Sequence, residues 1–291
     1  MRGMMWSAVL LTSLWTGAVR AMTPDEFVEK ARQAYAKDGK SLTNTNDMKG
    51  AAFHDRHSGM ICWVSAPEAR NIRDIGGWTG LRTGRAYRGT QICATPGRPL
   101  GLTERGLCVL RDELGIRTDL DLRRKDELYG IVASPLGTKV RFVHAPIEPY
   151  ADMLKTPEAY ATALRVFADE KNYPVYFHCW GGADRTGLIA MFLEALCGVN
   201  VVDVQIDYEL TTFAGSLRSR EAPYYRIVFN WLMDEPGRSL AEKAKSFVCR
   251  NFGLTEDEVR AIRRNLMVQT SARLTESAKP GEGRGEGKKG R

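Results

Sequence analysis

The run HCWGGADRTG, His178 to Gly187, places a cysteine and an arginine six positions apart inside a glycine-rich turn. An apolar stretch, PVYFHC, leads into it, and TGLIAMFLEALCG, apolar almost all round, leads out as a buried helix. The turn therefore falls at a helix N-terminus, where unpaired N–H groups and the helix dipole attract an anion. Backbone groups of Trp180, Gly181, Gly182, Ala183 and Asp184 can point at one phosphate-sized centre, and Arg185 adds a planar fork for two of its oxygens. At the focus of these charges the Cys179 thiol is expected well below its usual value, toward the range of about 3.5 to 7.5 seen in electropositive sites. A thiolate so placed attacks phosphorus and forms a cysteinyl-phosphate, dividing one hydrolysis into two easier steps. Thr186 can serve the sulfur as the intermediate breaks down. His178 either holds the thiolate or is structural. Charge stabilisation comes from Arg185 and the backbone, so no metal or cofactor is expected.

These residues carry a resemblance. HCWGGADRTG is similar to the phosphate-binding loop of the protein tyrosine phosphatase superfamily, H-C-x5-R-[ST]-G. NIRDIGGW (Asn71 to Trp78), YRGTQ (Tyr87 to Gln91), LGIRTDLDLRRKDE (Leu114 to Glu127) and DYELT (Asp207 to Thr211) resemble segments of its bacterial tyrosine and dual-specificity branch, in the same order. The resemblance implies a phosphomonoesterase acting foremost on phosphotyrosine, on a phosphorylated protein or a small phosphomonoester. Asp152, 27 residues before Cys179, lies where the superfamily's general acid is expected, and Glu148 is a second candidate. The D-R-T ending resembles phosphoinositide phosphatases in which a loop aspartate is implicated, which makes Asp184 the alternative. Ala183 stands where related bacterial enzymes have lysine, so one basic contact to a second phosphate is missing. Asp74 with Arg73, and Asp121 with Arg123, fall where the family brackets the loop; a buried ion-pair network is expected there. Trp180 either lines the pocket or packs. The rival readings are an inositol-phosphate phosphatase, a rhodanese-like sulfurtransferase, or a phosphate-binding module without catalysis.

The elements that must position the loop alternate from Gly101 onward. LTERGLCVLRDELG reads as a helix capped by Thr103 and stopped by Gly115, and IRTDLDLR as a strand alternating Ile116, Thr118, Leu120 and Leu122 with polar neighbours. VRFVHAPI, Val140 to Ile147, reads as another strand, and TPEAYATALRVFADE as a helix capped by Thr156 with Tyr160, Leu164 and Phe167 on one face. After the loop helix, Asn200 and Asp203 open VDVQIDYEL, and three further helices follow, the last with a Thr255/Glu258 capping box. This alternation predicts an α/β fold, a central mostly parallel sheet flanked by helices, phosphatase-like, with extra C-terminal helices.

Of the 291 residues, 43% are hydrophobic, ordinary for a chain with a real core. Residues 1–21 carry Arg2, an apolar run from Met4 to Trp15 and small residues at Val19 and Ala21, the pattern of a cleaved export signal, which predicts a periplasmic or secreted protein. The run is too short to span a bilayer, and no later segment is long enough, so no stable membrane insertion is expected. The domain is expected over residues 22–274, opening with a helix from Thr23, and residues 275–291 as a disordered basic tail. Losing Arg2 and Arg20 takes the formal charge from +7 to +5, and the tail holds five Lys or Arg against three Glu. About +3 is left on the body, too little to argue for nucleic acid. Of the six cysteines Cys197 reads as a buried core thiol; His54 and His57 lack a matching ligand cluster and read as a surface loop.

Overall fold

The computed structural model describes residues 24–38, 71–93, 101–214 and 218–268. The expected export signal, Thr23 cap, His54/His57 surface loop and basic tail, and Cys62, lie outside them. Five strands, β1 (Arg73–Asp74), β2 (Ala86–Gly89), β3 (Thr118–Asp121), β4 (Arg141–His144) and β5 (Val175–His178), form one sheet in the order β1-β2-β5-β3-β4. Only β1 pairs antiparallel; β2, β5, β3 and β4 run parallel, so their C-terminal ends share one edge. β5 is central, with Phe177 facing Arg88 on one neighbour and Leu120 on the other.

Alternation along the central strands assigns each side chain to a face. Leu120, Val175 and Phe177 join the large core beneath α3 (Pro157–Val166), α4 (Asp184–Leu196), α5 (Val201–Leu210), α6 (Pro223–Met233), α7 (Leu240–Phe252) and α8 (Glu256–Leu266). Tyr87 and Tyr176 join a smaller cluster with Val109 and Leu110, which follow the short helix α2 (Glu104–Cys108). α4 is the centre of the thick side: every residue from Thr186 to Leu196 is buried. The helix α1 (Pro24–Asp38) docks on α5 through Arg32, whose Nε and Nη2 each lie 2.7 Å from an Asp203 oxygen. At the chain's far end Arg82 N donates to Leu266 O at 2.8 Å, tying α8 back to the turn after β1.

Local signals act as read at Thr103, Asn200 and Thr255, whose side chains accept N–H groups of the first turns of α2, α5 and α8, and Ser239 does the same for α7. On β3 both Asp119 and Asp121 are fully buried. Two expectations need correction. The strand read over residues 140–147 is ordered as one only over Arg141–His144, since β4 is the sheet's edge. Thr156 does not cap α3 with its side chain, because its Oγ1 instead accepts Glu148 N–H at 3.1 Å. Among the described residues no helix is long and apolar enough to cross a membrane.

Candidate active site

β5 ends at His178, the run from Cys179 to Ala183 turns, and α4 begins at Asp184. What shapes the turn is the fate of its carbonyls. His178 Nδ1 lies 3.2 Å from Cys179 O, Gln91 N donates to Trp180 O at 3.0 Å, and Asn71 Nδ2 donates to Gly181 O at 3.3 Å and Gly182 O at 2.8 Å. Arg88 Nη2 adds a second donor to Gly182 O at 2.9 Å, and Gly187 N closes on Ala183 O at 3.0 Å. Five successive carbonyls are thus held by groups outside the turn. In a planar trans peptide the next N–H points the opposite way, so the amides of residues 180–184 face the inside. Gly182 makes this possible: its φ is +64°, and a Cβ there would lie 2.3 Å from Gly89 O.

Two buried networks do this holding, one on each face of the sheet. On the thick side Arg73 Nε and Nη2 reach Asp207 Oδ1 at 2.9 Å and Asp207 O at 2.7 Å, while Arg88 Nη1 takes Asp207 Oδ2. Arg73 also binds Asn71 Oδ1, which turns the Asn71 amide toward the loop. Burial, then the charge of Arg88, lowers the Arg73 guanidinium to about 10, still protonated at neutral pH. The neighbouring Glu194 carboxyl is pushed well above its usual value, by burial first and then by Asp207. Arg73 and Arg88 thus share the Asp207 carboxylate beneath the loop.

On the thin side His178 Nε2 lies 3.0 Å from Asp119 Oδ1, and Ser134 Oγ donates to Asp119 Oδ2 at 2.7 Å. A carbonyl can only accept, so Nδ1 must carry a proton, and Nε2 against a carboxylate carries the other. Burial opposes that charge, but Asp121 and Asp119 together raise the His178 pKa above its usual value. The ring thus ties the backbone at Cys179 to Asp119. Its two nitrogens are spent on Asp119 and Cys179 O, so it does not hold the thiolate by hydrogen bonding. The expected network around Asp121 is present: Arg123 Nη2 and Nε bind its carboxylate at 2.5 and 2.9 Å, and Arg123 Nη1 reaches Gln91 Oε1 at 3.1 Å. Asp74 differs from expectation. Among the described residues it pairs with no cation; Gly76 N and Gly84 N donate to it at 2.8 and 2.5 Å, and burial pushes its carboxyl up to about 6 despite them.

Cys179 is 3% exposed. Burial raises its thiol, but the charge of Arg185 and the hydroxyl and N–H of Thr186 outweigh it and hold the pKa below the ordinary value. Thr186 Oγ1 is buried and bonds no nitrogen or oxygen among the described residues, and its hydroxyl acts on the Cys179 thiol. Arg185 clasps Glu127 with both terminal nitrogens, Nη2 to Oε1 at 3.1 Å, and both side chains are 12% exposed. Glu127 is itself held by Arg124 N at 2.9 Å and is driven below its usual pKa by these partners against burial. Asp184 accepts from Arg218 Nε and Nη2 at 2.7 and 2.9 Å and from the Tyr150 hydroxyl. Asp152 is exposed and pairs with Lys155 at 2.7 Å, whereas Asp184 is close enough to act on the Cys179 thiol. Glu148 lies near enough to act on Arg185. Trp180 is half-buried beside the loop.

The loop residues were legible from spacing, but Glu127, Arg88, Asn71, Asp207 and Arg218 were not singled out. Their only signal was their place inside the segments NIRDIGGW, YRGTQ, LGIRTDLDLRRKDE and DYELT, Arg218 excepted. Among the described residues Cys93, Cys108, Cys179, Cys197 and Cys249 form no disulfide with one another, and Cys197 is buried in the core as read. Among the described residues no cluster of His, Cys, Asp and Glu has the arrangement of a metal site.

The sequence model of the tyrosine phosphatase family matches residues 64–268. No curated protein matches the chain. Among solved structures, the core catalytic domain of the PP-IP phosphatase of S. cerevisiae, in complex with citrate, is 13% identical and covers 65% of this chain and 96% of its own, with a TM-score of 0.37.

Proposed function

Because the chain belongs to the tyrosine phosphatase family and is a cysteine-type phosphatase, we propose that it hydrolyses phosphotyrosine through a phosphorylated Cys179. The observation that carries this reading is the set of five carbonyls held by groups outside the turn, which leaves the amides of residues 180–184 for the inside of the turn that Cys179 begins. The Cys179 thiolate attacks phosphorus as the bond to the leaving oxygen breaks, and the leaving oxygen takes a proton. Arg185 and the loop amides carry the charge of the three equatorial oxygens. Water then attacks phosphorus, the sulfur leaves as thiolate steadied by Thr186, and inorganic phosphate is released.

We assign the proton to Asp184 rather than Asp152. Asp184 sits at the loop's end within electrostatic reach of the sulfur, while Asp152 points to solvent against Lys155. An aryl ester is supported by the Tyr150 and Tyr224 rings, whose centroids lie 4.5 Å apart next to Asp184. The leader-like residues 1–21 support action outside the cytoplasm.

The test is turnover of a phosphotyrosine peptide by the wild type, Cys179→Ser and Asp184→Asn proteins, with and without chelator. Turnover that survives chelation, vanishes in Cys179→Ser and falls about a hundredfold or more in Asp184→Asn is expected. Full activity of Cys179→Ser would end the proposal, and a loss in Asp152→Asn but not Asp184→Asn would move the proton to the other carboxyl.

A further inference from the structure

A second cavity lies at the opposite edge of the sheet from the loop. It has a volume of about 890 Å³ and is walled by the segments that enter β3, β4 and β5. Thr118 at its edge pairs in register with Val175, and Asp121 with His178, so three residues of strand separate this cavity's level from the level at which the catalytic loop begins. At a rise of about 3.3 Å per residue that is about 10 Å through the packed sheet. The cavity is therefore no part of the site already described.

Its walls are strongly cationic. Arg111, Arg117, Lys139, Arg141 and Lys171 line it against Asp112 and Asp169, a surplus of three positive charges. Asp112 is spent on Arg111, at 2.8 Å, and Asp169 Oδ1 accepts the Lys171 N–H at 3.0 Å. Arg141 donates at 2.8 Å to Asn172, a neutral partner that leaves its charge uncompensated. The side chains of Arg117 and Lys139 are exposed and bind nothing among the described residues. Thr118, 1% exposed, is the buried member of the wall. Like charges held around one concavity repel, and a ligand with several anionic oxygens relieves that repulsion.

We propose that this cavity binds a multiply phosphorylated anion, either a soluble oligophosphate or a phosphorylated lipid headgroup, at a site separate from the catalytic loop. A route by which such binding would be felt at the loop exists in the side chains. Leu136, in the cavity wall, donates its N–H to Ser134 Oγ at 3.2 Å; Ser134 donates to Asp119, and Asp119 holds His178.

The experiment titrates inorganic tripolyphosphate into the full chain carrying Arg185→Ala, which weakens the catalytic loop's own hold on phosphate, and into the same protein with Arg117→Glu and Lys139→Glu added. One saturable site is expected in the first, weakened by about tenfold or more in the second and by raised salt. In the Arg185 wild-type background the Arg117→Glu/Lys139→Glu pair leaves turnover unchanged in the absence of tripolyphosphate. No saturable binding in Arg185→Ala, or equal binding in both proteins, overturns the proposal. If the double charge reversal unfolds the chain, Arg117→Gln/Lys139→Gln replaces it with the same criterion. Phosphatidylcholine vesicles with and without a phosphatidylinositol phosphate separate the two sources: retention on the phosphorylated vesicles that Arg117→Glu/Lys139→Glu abolishes assigns the headgroup, and tripolyphosphate binding without retention assigns the soluble ligand.

Discussion

The arginines around the loop fall into two sets that differ in burial and in partners. Arg73, Arg88 and Arg123 are 0 to 2% exposed, bind Asp207 and Asp121, and reach the loop through its carbonyls or through Asn71 and Gln91. Arg185 and Arg218 are 12% and 19% exposed at the side chain and bind Glu127 and Asp184 at the mouth. The same ion pair thus has two uses. Below the loop it is surrounded by protein and fixes backbone; above it, it meets solvent and can exchange a carboxylate for a phosphate.

That contrast breaks most visibly at Arg185. Arg185→Ala is expected to lower turnover of an aryl phosphate by roughly a thousandfold or more, while chemical denaturation shows a stability loss of about 1–3 kcal/mol for the unpaired Glu127. Asp207→Ala should reverse the emphasis. It strands two buried arginines and is expected to cost about 3–5 kcal/mol in unfolding free energy. A mild stability effect with intact turnover would remove Asp207 from the foundations of the loop.

Glu127→Gln sharpens the comparison, since it keeps the shape and removes the charge that orients Arg185. The expectation is an unfolding midpoint close to that of wild type and a fall in kcat/KM of about tenfold, worth about 1.4 kcal/mol. The kcat/KM loss should be restored in part by Glu127→Asp. The smallest effect expected is a pH slope. His178 has its pKa raised in the fold, so its contribution to stability is fully present below its ordinary value near 6.5 and is lost as the pH rises through the raised one. Unfolding followed across that window should show a decline no steeper than about 1.4 kcal/mol per pH unit, and His178→Gln should lack it.

Legibility in the sequence followed the range of the interaction. The loop and its helix could be read because Cys179, the glycines, Arg185 and Thr186 are neighbours, and caps such as Thr255 with Glu258 act over three residues. Glu127 meets Arg185 across 58 positions, and Arg88 meets Gly182 across 94, so no local pattern announces either. β3 shows both ranges: the pairing of Asp121 with Arg123, two positions on, could be read, while His178, the partner of Asp119, lies 59 positions away. Thr156 had a cap's sequence position, and a longer-range partner, Glu148 N–H, took its hydroxyl.

The complete burial of α4 from Thr186 to Leu196 bears on time as well as on shape. Regions that open independently are those with solvated backbone and few packed neighbours, and this helix has neither. Its amides should exchange with solvent only when the whole domain opens, and the loop that begins it inherits the same lifetime. Loss of the reaction centre and loss of the fold are then one event, so inactivation by heat or denaturant should run in step with unfolding and not ahead of it.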